Sequence, residues 1–469
     1  MAKQNLAIVV FVGLCAAFAL PGIADDSALH EEIDLLMAAA TDGSIADRSS
    51  DAEFLRRVTL DLAGTVPSSA AARKFLADDD PDKRIKLVDQ LLSSTDYPRR
   101  MQQALSVMLL ERRAGTTISD QAWNAFVTNS FAKNIPWDQF VRGLISANGH
   151  NEQTRPAIRF FVDGGRNDHH QMTRDIARIF LGMDIQCAQC HDHPNVEDFR
   201  QADYFGLYAY LNQSVTKTDT QLKKLVLVET VAKGKVEFQS VFVPDEQHAT
   251  GPRLPAGREI EIPQFAAGEE LAEPAKDGLP GVPKFRPRVL LSNDLTAADN
   301  QRFVRNSVNR FWFLMMGRGL VHPLDMMHPG NPPSHPELLD LLAKQFVAGR
   351  FDVKHLIREI ALSAVYQRSS LLPMNLESQD VAAETFRVAR PRPLSAEQMM
   401  FSILQATGNL QQVLATPIPE QSSFTFKDYV NGRIPPPDNL IDIQKLFSAT
   451  FGNSPGEAEV DFRDRKSVV

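Results

Sequence analysis

The chain has 469 residues, 43% hydrophobic and 23% charged, with 50 basic against 58 acidic side chains and a formal net charge of -8. This is an ordinary globular composition with room for roughly two or three domains. The negative balance, without a basic run, argues against nucleic acid as the main partner, and no segment after the N-terminal leader approaches the roughly 18 apolar residues of a membrane span.

Residues 1–24 read as a secretory signal peptide. Lys3 is a short positive region, Leu6 to Leu20 is almost wholly apolar, and Gly22-Ile23-Ala24 places small residues before Asp25. The mature protein is therefore expected to begin at Asp25 and to be exported, periplasmic or extracellular. A lipoprotein signal on Cys15 is disfavoured by the bulky Leu14 before it. Residues 25–215 read as a helical domain. Leu29 to Ala40 is amphipathic, and Phe54 to Leu62 is an apolar run stopped at Gly64. Ser68 or Ser69 can cap a helix, Pro81 can start another, and Pro136 divides two aromatic-rich helices whose rings suit core packing. From Asp168, Met172, Ile176, Ile179, Phe180, Met183, Cys187 and Cys190 recur at three- and four-residue steps. That spacing predicts one helix capped by Asp168 and ending near Pro194, with both cysteines on its buried face. Residues 216–295 read as a β/loop insertion or linker, with strands over 223–231 and 235–243 joined by Lys233-Gly234. Helices resume over 296–410. Their signals are the face of Phe303, Val308, Phe311 and Trp312, Pro336 as a first helical residue, and the cap Ser395-Ala396-Glu397-Gln398. The tail over 411–469 is expected to be weakly ordered.

The chemistry concentrates at Cys187-Ala188-Gln189-Cys190-His191, the C-x-x-C-H pattern of covalent haem c attachment. Two thiols can add across the porphyrin vinyl groups, and the adjacent His191 can reach the iron as proximal ligand. Cys15 leaves with the signal, so this pair is the whole cysteine content of the mature chain. A sixth ligand would come from His169, His170, His193, Met315 or Met316, and Tyr204, Phe205, Leu207 and Tyr208 are near enough in sequence to line an apolar pocket. Two other readings stay open: a disulfide, as expected of a cysteine pair in an oxidising compartment, and zinc held by Cys187, Cys190, His193 and one of His169 or His170. Asp192, Asp198 and Asp203 fit a solvated loop better than a cation site, and Asn309, Arg310, Arg318 and His335 suit a buried polar network. His322 and His328 lie in a proline-rich loop with no sequence partner. There is no G-x-S-x-G elbow and no phosphate loop.

Several longer stretches resemble a known family. Phe54-Leu55-Arg56-Arg57-Val58-Thr59-Leu60-Asp61-Leu62-Ala63-Gly64, Leu181-Gly182, Cys187 to Pro194, and Asp203-Tyr204-Phe205-Gly206-Leu207 are similar to the first domain of the planctomycete cytochrome-like proteins. Asn309-Arg310-Phe311-Trp312, Gly317-Arg318-Gly319-Leu320, Asn331 to Leu339 and Tyr366-Gln367-Arg368-Ser369-Ser370 resemble its second domain. The resemblance implies an exported, mostly helical protein with paired domains of unknown function. Members continue well past the position of Phe451-Gly452, so it also implies a shortened C-terminal part. The expectation is thus a mainly α, two-domain protein with a small β insertion and long proline-rich loops. Its expected role is electron transfer through haem c, with an exported redox partner; the alternative is a scaffold of the cell exterior with the cysteines as a disulfide or zinc staple. A hydrolytic role rests on export alone.

Overall fold

A computed structural model of the chain describes residues 28–163, 168–374, 377, 381–410 and 438–457. The leader and the cleavage position before Asp25 lie outside the described residues. The protein is mainly α, and its strands form three two-stranded antiparallel ribbons. The first ten helices are α1 (Leu29–Ala39), α2 (Asp51–Ala63), α3 (Ser69–Leu76), α4 (Lys83–Ser93), α5 (Asp96–Leu110), α6 (Asp120–Ala132), α7 (Trp137–Ser146), α8 (Arg159–Val162), α9 (His169–Leu181) and α10 (Gln201–Leu211). Strands β1 (Ser214–Asp219), β2 (Lys224–Glu229), β3 (Val236–Ser240), β4 (Val243–Thr250), β5 (Leu271–Glu273) and β6 (Val282–Pro283) follow. Then come α11 (Pro287–Leu295), α12 (Gln301–Met316), α13 (Pro336–Ala348), α14 (Val353–Leu362), α15 (Ala396–Ala406) and α16 (Asp438–Phe451). Among the described residues no helix is long and apolar enough to cross a membrane.

One hydrophobic core runs through both ends of the chain, from Leu29, Ile33 and Met37 of α1 to Tyr366 and Phe386. Helices α9 and α12 meet inside it, where Asn306 Nδ2 donates to the Ile179 carbonyl at 2.8 Å. Ile176, Ile179, Phe180 and Met183 are all buried, as the apolar spacing predicts. Asp168 caps α9 by accepting from the His170 N–H at 2.9 Å.

The helix does not continue to Pro194. It stops at Leu181, because Gly182 takes the left-handed conformation at φ 67° and returns its N–H to the Ala177 carbonyl. A Cβ on Gly182 would stand 2.8 Å from Asn306 Oδ1, so the close approach of α12 requires glycine as well. Cys187 and Cys190 are consequently exposed and not on the buried helical face. Apolar spacing ran on past the break because Met183, Ile185 and Ala188 are still buried, outside the α-helix.

The two expected strands exist, but they do not pair with each other. β2 pairs back onto β1, Ser214 opposite Glu229, and β3 pairs forward onto β4, Val236 opposite Thr250. The segment 216–295, expected as β element and loop throughout, closes with helix α11. In the tail, α16 packs Leu440 against Met400 and Phe401 of α15, so residues 438–451 are helical; residues 411–437 lie outside the described set.

Candidate functional sites at the Cys-x-x-Cys-His turn and in the interdomain cavity

Beyond Gly182 the chain runs antiparallel to the loop before α13. Met183 bridges Met326, the Asp184 N–H donates to the Asp325 carbonyl at 2.8 Å, and the Met327 N–H donates to the Gly182 carbonyl at 2.9 Å. Cys187–Gln189 then form a single 3-10 turn, anchored by the fully buried Ala188. The Cys190 and His191 N–H groups both donate to the Cys187 carbonyl, which brings the two exposed thiols to one side. Arg174 of α9 donates to Gln189 Oε1 at 2.6 Å, and the buried Gln201 donates to the Gln239 carbonyl at 3.0 Å. The Val241 N–H donates to the Cys190 carbonyl at 3.0 Å, so the β3–β4 hairpin tip lies over the turn. Its Phe242 ring stands 4.7 Å from the His191 ring.

His191 Nδ1 lies 2.7 Å from the Asp192 carbonyl oxygen. A carbonyl only accepts, so Nδ1 carries the hydrogen and the Nε2 lone pair is left for a ligand; this is the second-contact arrangement that fixes metal-binding imidazoles. No described residue bonds Nε2. The open cleft beside it, about 320 Å³, is lined by Asp184, Gln186, Cys187, Cys190, His191, His193 and Met326. The donor set fits haem c attachment. The surroundings differ from the expected pocket, because this cleft is open and none of Tyr204, Phe205, Leu207 and Tyr208 lines it. Tyr204 and Tyr208 gather instead around His170, whose Nδ1 is 2.8 Å from Tyr204 Oη and whose ring stacks on Tyr208 at 4.6 Å. Phe205 stacks on Phe238 at 4.8 Å, and Leu207 is in the core. Burial lowers the His170 pKa below its ordinary value.

The sixth-ligand candidates separate in space. His169 bonds the Ser214 carbonyl through Nε2, and His170 is held among tyrosines; neither lines the cleft. Met315 and Met316 face a different cavity, between the two helical regions. His193 does line the cleft, but its Nδ1 accepts from the Asn195 N–H at 3.2 Å, which puts the ring hydrogen on Nε2 of the neutral form. Met326 lines the cleft from the opposite chain segment and was missed, since nothing in its local sequence ties it to Cys187. The zinc set does not assemble: among the described residues no three His, Cys, Asp or Glu side chains converge as metal ligands. The acidic residues also diverge. Asp192 accepts from the Gln201 N–H, Asp198 pairs with Arg302, and Asp203 pairs with Arg253. The expected Asn309–Arg310–Arg318–His335 network is four separate arrangements. Asn309 brackets the Val321 backbone, Arg310 meets Asp325, Arg318 meets Glu384, and His335 lies on Phe386. His328 packs on Phe199, and His322 is not in the cleft.

The second cavity, about 410 Å³, lies between α2, α5 and α9 on one side and α12 with the 383–395 segment on the other. Segments far apart in sequence meet at its wall. Tyr366 Oη donates to Asp61 Oδ2 at 2.7 Å across 305 positions, and Arg392 donates to both Asp61 oxygens at 2.7 Å. Eight arginines line it (Arg56, Arg57, Arg100, Arg178, Arg310, Arg318, Arg390 and Arg392) against four carboxylates (Glu53, Asp61, Glu111 and Glu397). Sequence reasoning did not find this site, because its residues come from seven separate stretches between positions 53 and 398.

Comparison with known proteins gives two family matches. Residues 33–216 match the PSCyt2 model, described as a protein of unknown function (DUF1549). Residues 287–460 match the PSD1 model, described as a protein of unknown function (DUF1553). No curated protein and no solved structure matches the chain. With the one region preceding the other and both meeting in one core, the chain belongs to the proteins that carry this pair of domains of unknown function.

Proposed function

We propose that the protein is an exported electron carrier of the planctomycete cytochrome-like type, in which Cys187 and Cys190 hold haem c through thioether bonds and His191 is the proximal ligand. The observation that carries this reading is the His191 ring, fixed through Nδ1 by the Asp192 carbonyl with Nε2 open beside two exposed thiols. Haem, when bound, supplies one-electron redox chemistry. The chain's own contribution is positional. Arg174 and Gln201 steady the turn, Val241 holds the Cys190 carbonyl, Phe242 covers one face of His191, and Met326 stands on the facing wall. The open cleft leaves Cys187, Cys190 and His191 accessible to a redox partner outside the cytoplasm, a setting supported by the apolar run from Leu6 to Leu20 and the small residues before Asp25.

The test is to express the full chain in a host with haem c maturation and record the pyridine haemochrome spectrum of the denatured protein. Covalent haem should be retained, lost in Cys190→Ser and kept in Asp192→Asn, which preserves the backbone carbonyl. A colourless protein whose Cys187 and Cys190 thiols disappear together on oxidation would make the pair a staple and end the haem reading.

A further inference from the structure

The cavity between α2, α5, α9 and α12 has a composition opposite to that of the chain. The protein as a whole has more acidic than basic side chains, yet this wall has twice as many arginines as carboxylates. Several of these arginines are neutralised in place. Arg57 pairs with Glu53, Arg178 with Glu111 and Asp175, and Arg392 with Asp61. What is left over is specific. Arg56 and Arg390, both exposed, line the cavity with no ion pair among the described residues. Deeper in, Arg310 is nine-tenths buried; its Nη2 bonds Asp325 and the Arg178 carbonyl, but its Nε has no partner. An unpartnered buried guanidinium N–H is costly unless something accepts from it. The rest of the lining is largely apolar, with the partly exposed Met108, Leu314 and Met316 among it. The volume lies within the range of small-molecule sites, and planar guanidinium forks suit carboxylate, sulfate and phosphate oxygens alike.

We propose that this cavity binds a small amphiphilic organic anion, its acidic group taken by Arg56, Arg390 and the Arg310 Nε, and its apolar part lying on the partly exposed Met108–Leu314–Met316 wall. This site is separate from the cysteine turn and does not depend on haem. The experiment is calorimetric titration of the full mature chain with octanoate, octyl sulfate and octyl phosphate, with octanol and octylamine as the neutral and cationic counterparts. At least one anion should bind and weaken with added salt, while octanol and octylamine bind at least roughly tenfold less tightly. Whichever anion binds best assigns the acidic group. Arg56→Gln and Arg390→Gln should each weaken that anion by roughly tenfold without moving the melting temperature of the free protein, because both side chains are exposed. Lys276→Gln, on a side chain 82% exposed and outside the cavity lining, should change nothing. Equal binding of octanol, no binding by any anion, or unchanged affinity in both arginine variants would overturn the proposal.

Discussion

His191 and Met326 approach one cleft from opposite directions, and each can be tested alone. If haem is held as proposed above, Met326→Ala should lower the reduction potential and remove any methionine–iron charge-transfer band, since a thioether ligand raises the potential relative to its loss. An unchanged potential and spectrum would exclude Met326 and return the position to His193. At this scale the sequence shows the reactive group and hides its surroundings. Cys187, Cys190 and His191 are legible as a group because they form an unbroken C-x-x-C-H pattern. Met326 is not, because it is brought there by backbone pairing of Gly182–Asp184 with Asp325–Met327, and backbone pairing leaves no mark on side-chain identity. Tyr204 and Tyr208 mislead for a related reason. They lie close to the turn in sequence, but their places on α10 turn them to His170.

Helix α9 is the element on which both sites depend. It presents Arg174 to the cysteine turn and Arg178 to the arginine-lined cavity, one helical turn apart. Its buried face has Phe180 at 1% exposure, with the Phe160 ring 5.8 Å away. Phe180→Ala should therefore cost about 3–5 kcal/mol in urea denaturation; a loss under about 1 kcal/mol would show that the site relaxes around the gap. Helices of this kind are legible from the three- and four-residue period and from caps such as Asp168, Ser68 and Ser395, all of which accept the expected N–H groups. The end of α9 was harder to read. Leu181-Gly182 is a stop signal of the ordinary C-cap kind, but continuing apolar spacing outweighed one glycine. Only β2 and β3 were legible as strands, and not with their partners β1 and β4, because alternation marks a strand without naming its neighbour.

The two domains of unknown function share their main core, and only a small cluster of Met400, Phe401, Leu410 and Leu440 stands apart from it among the described residues. Phe54 of α2, Trp137 of α7, Phe180 of α9, Phe311 of α12 and Tyr366 all belong to one cluster. The cavity and the cysteine cleft are separated by a single loop: Leu324 lines the first, Asp325 pairs with Arg310, and Met326 lines the second. Mainly helical architecture was legible from the sequence at this scale; the fusion of the two regions was not, because composition and period say nothing about which apolar faces meet. The fusion has a consequence for how the polypeptide tolerates breakage. Residues 263–269 are an exposed loop between β4 and β5, so a protease cut there severs the chain without removing any of the shared interior. Nicked protein should elute as one particle in gel filtration and come apart only in denaturant, with both fragments released in the same transition; fragments that separate in native buffer would contradict this. Separately produced halves should be insoluble or unfolded alone and regain helical signal on mixing. A single hydrolysed peptide bond would turn this protein into a heterodimer of its own two halves.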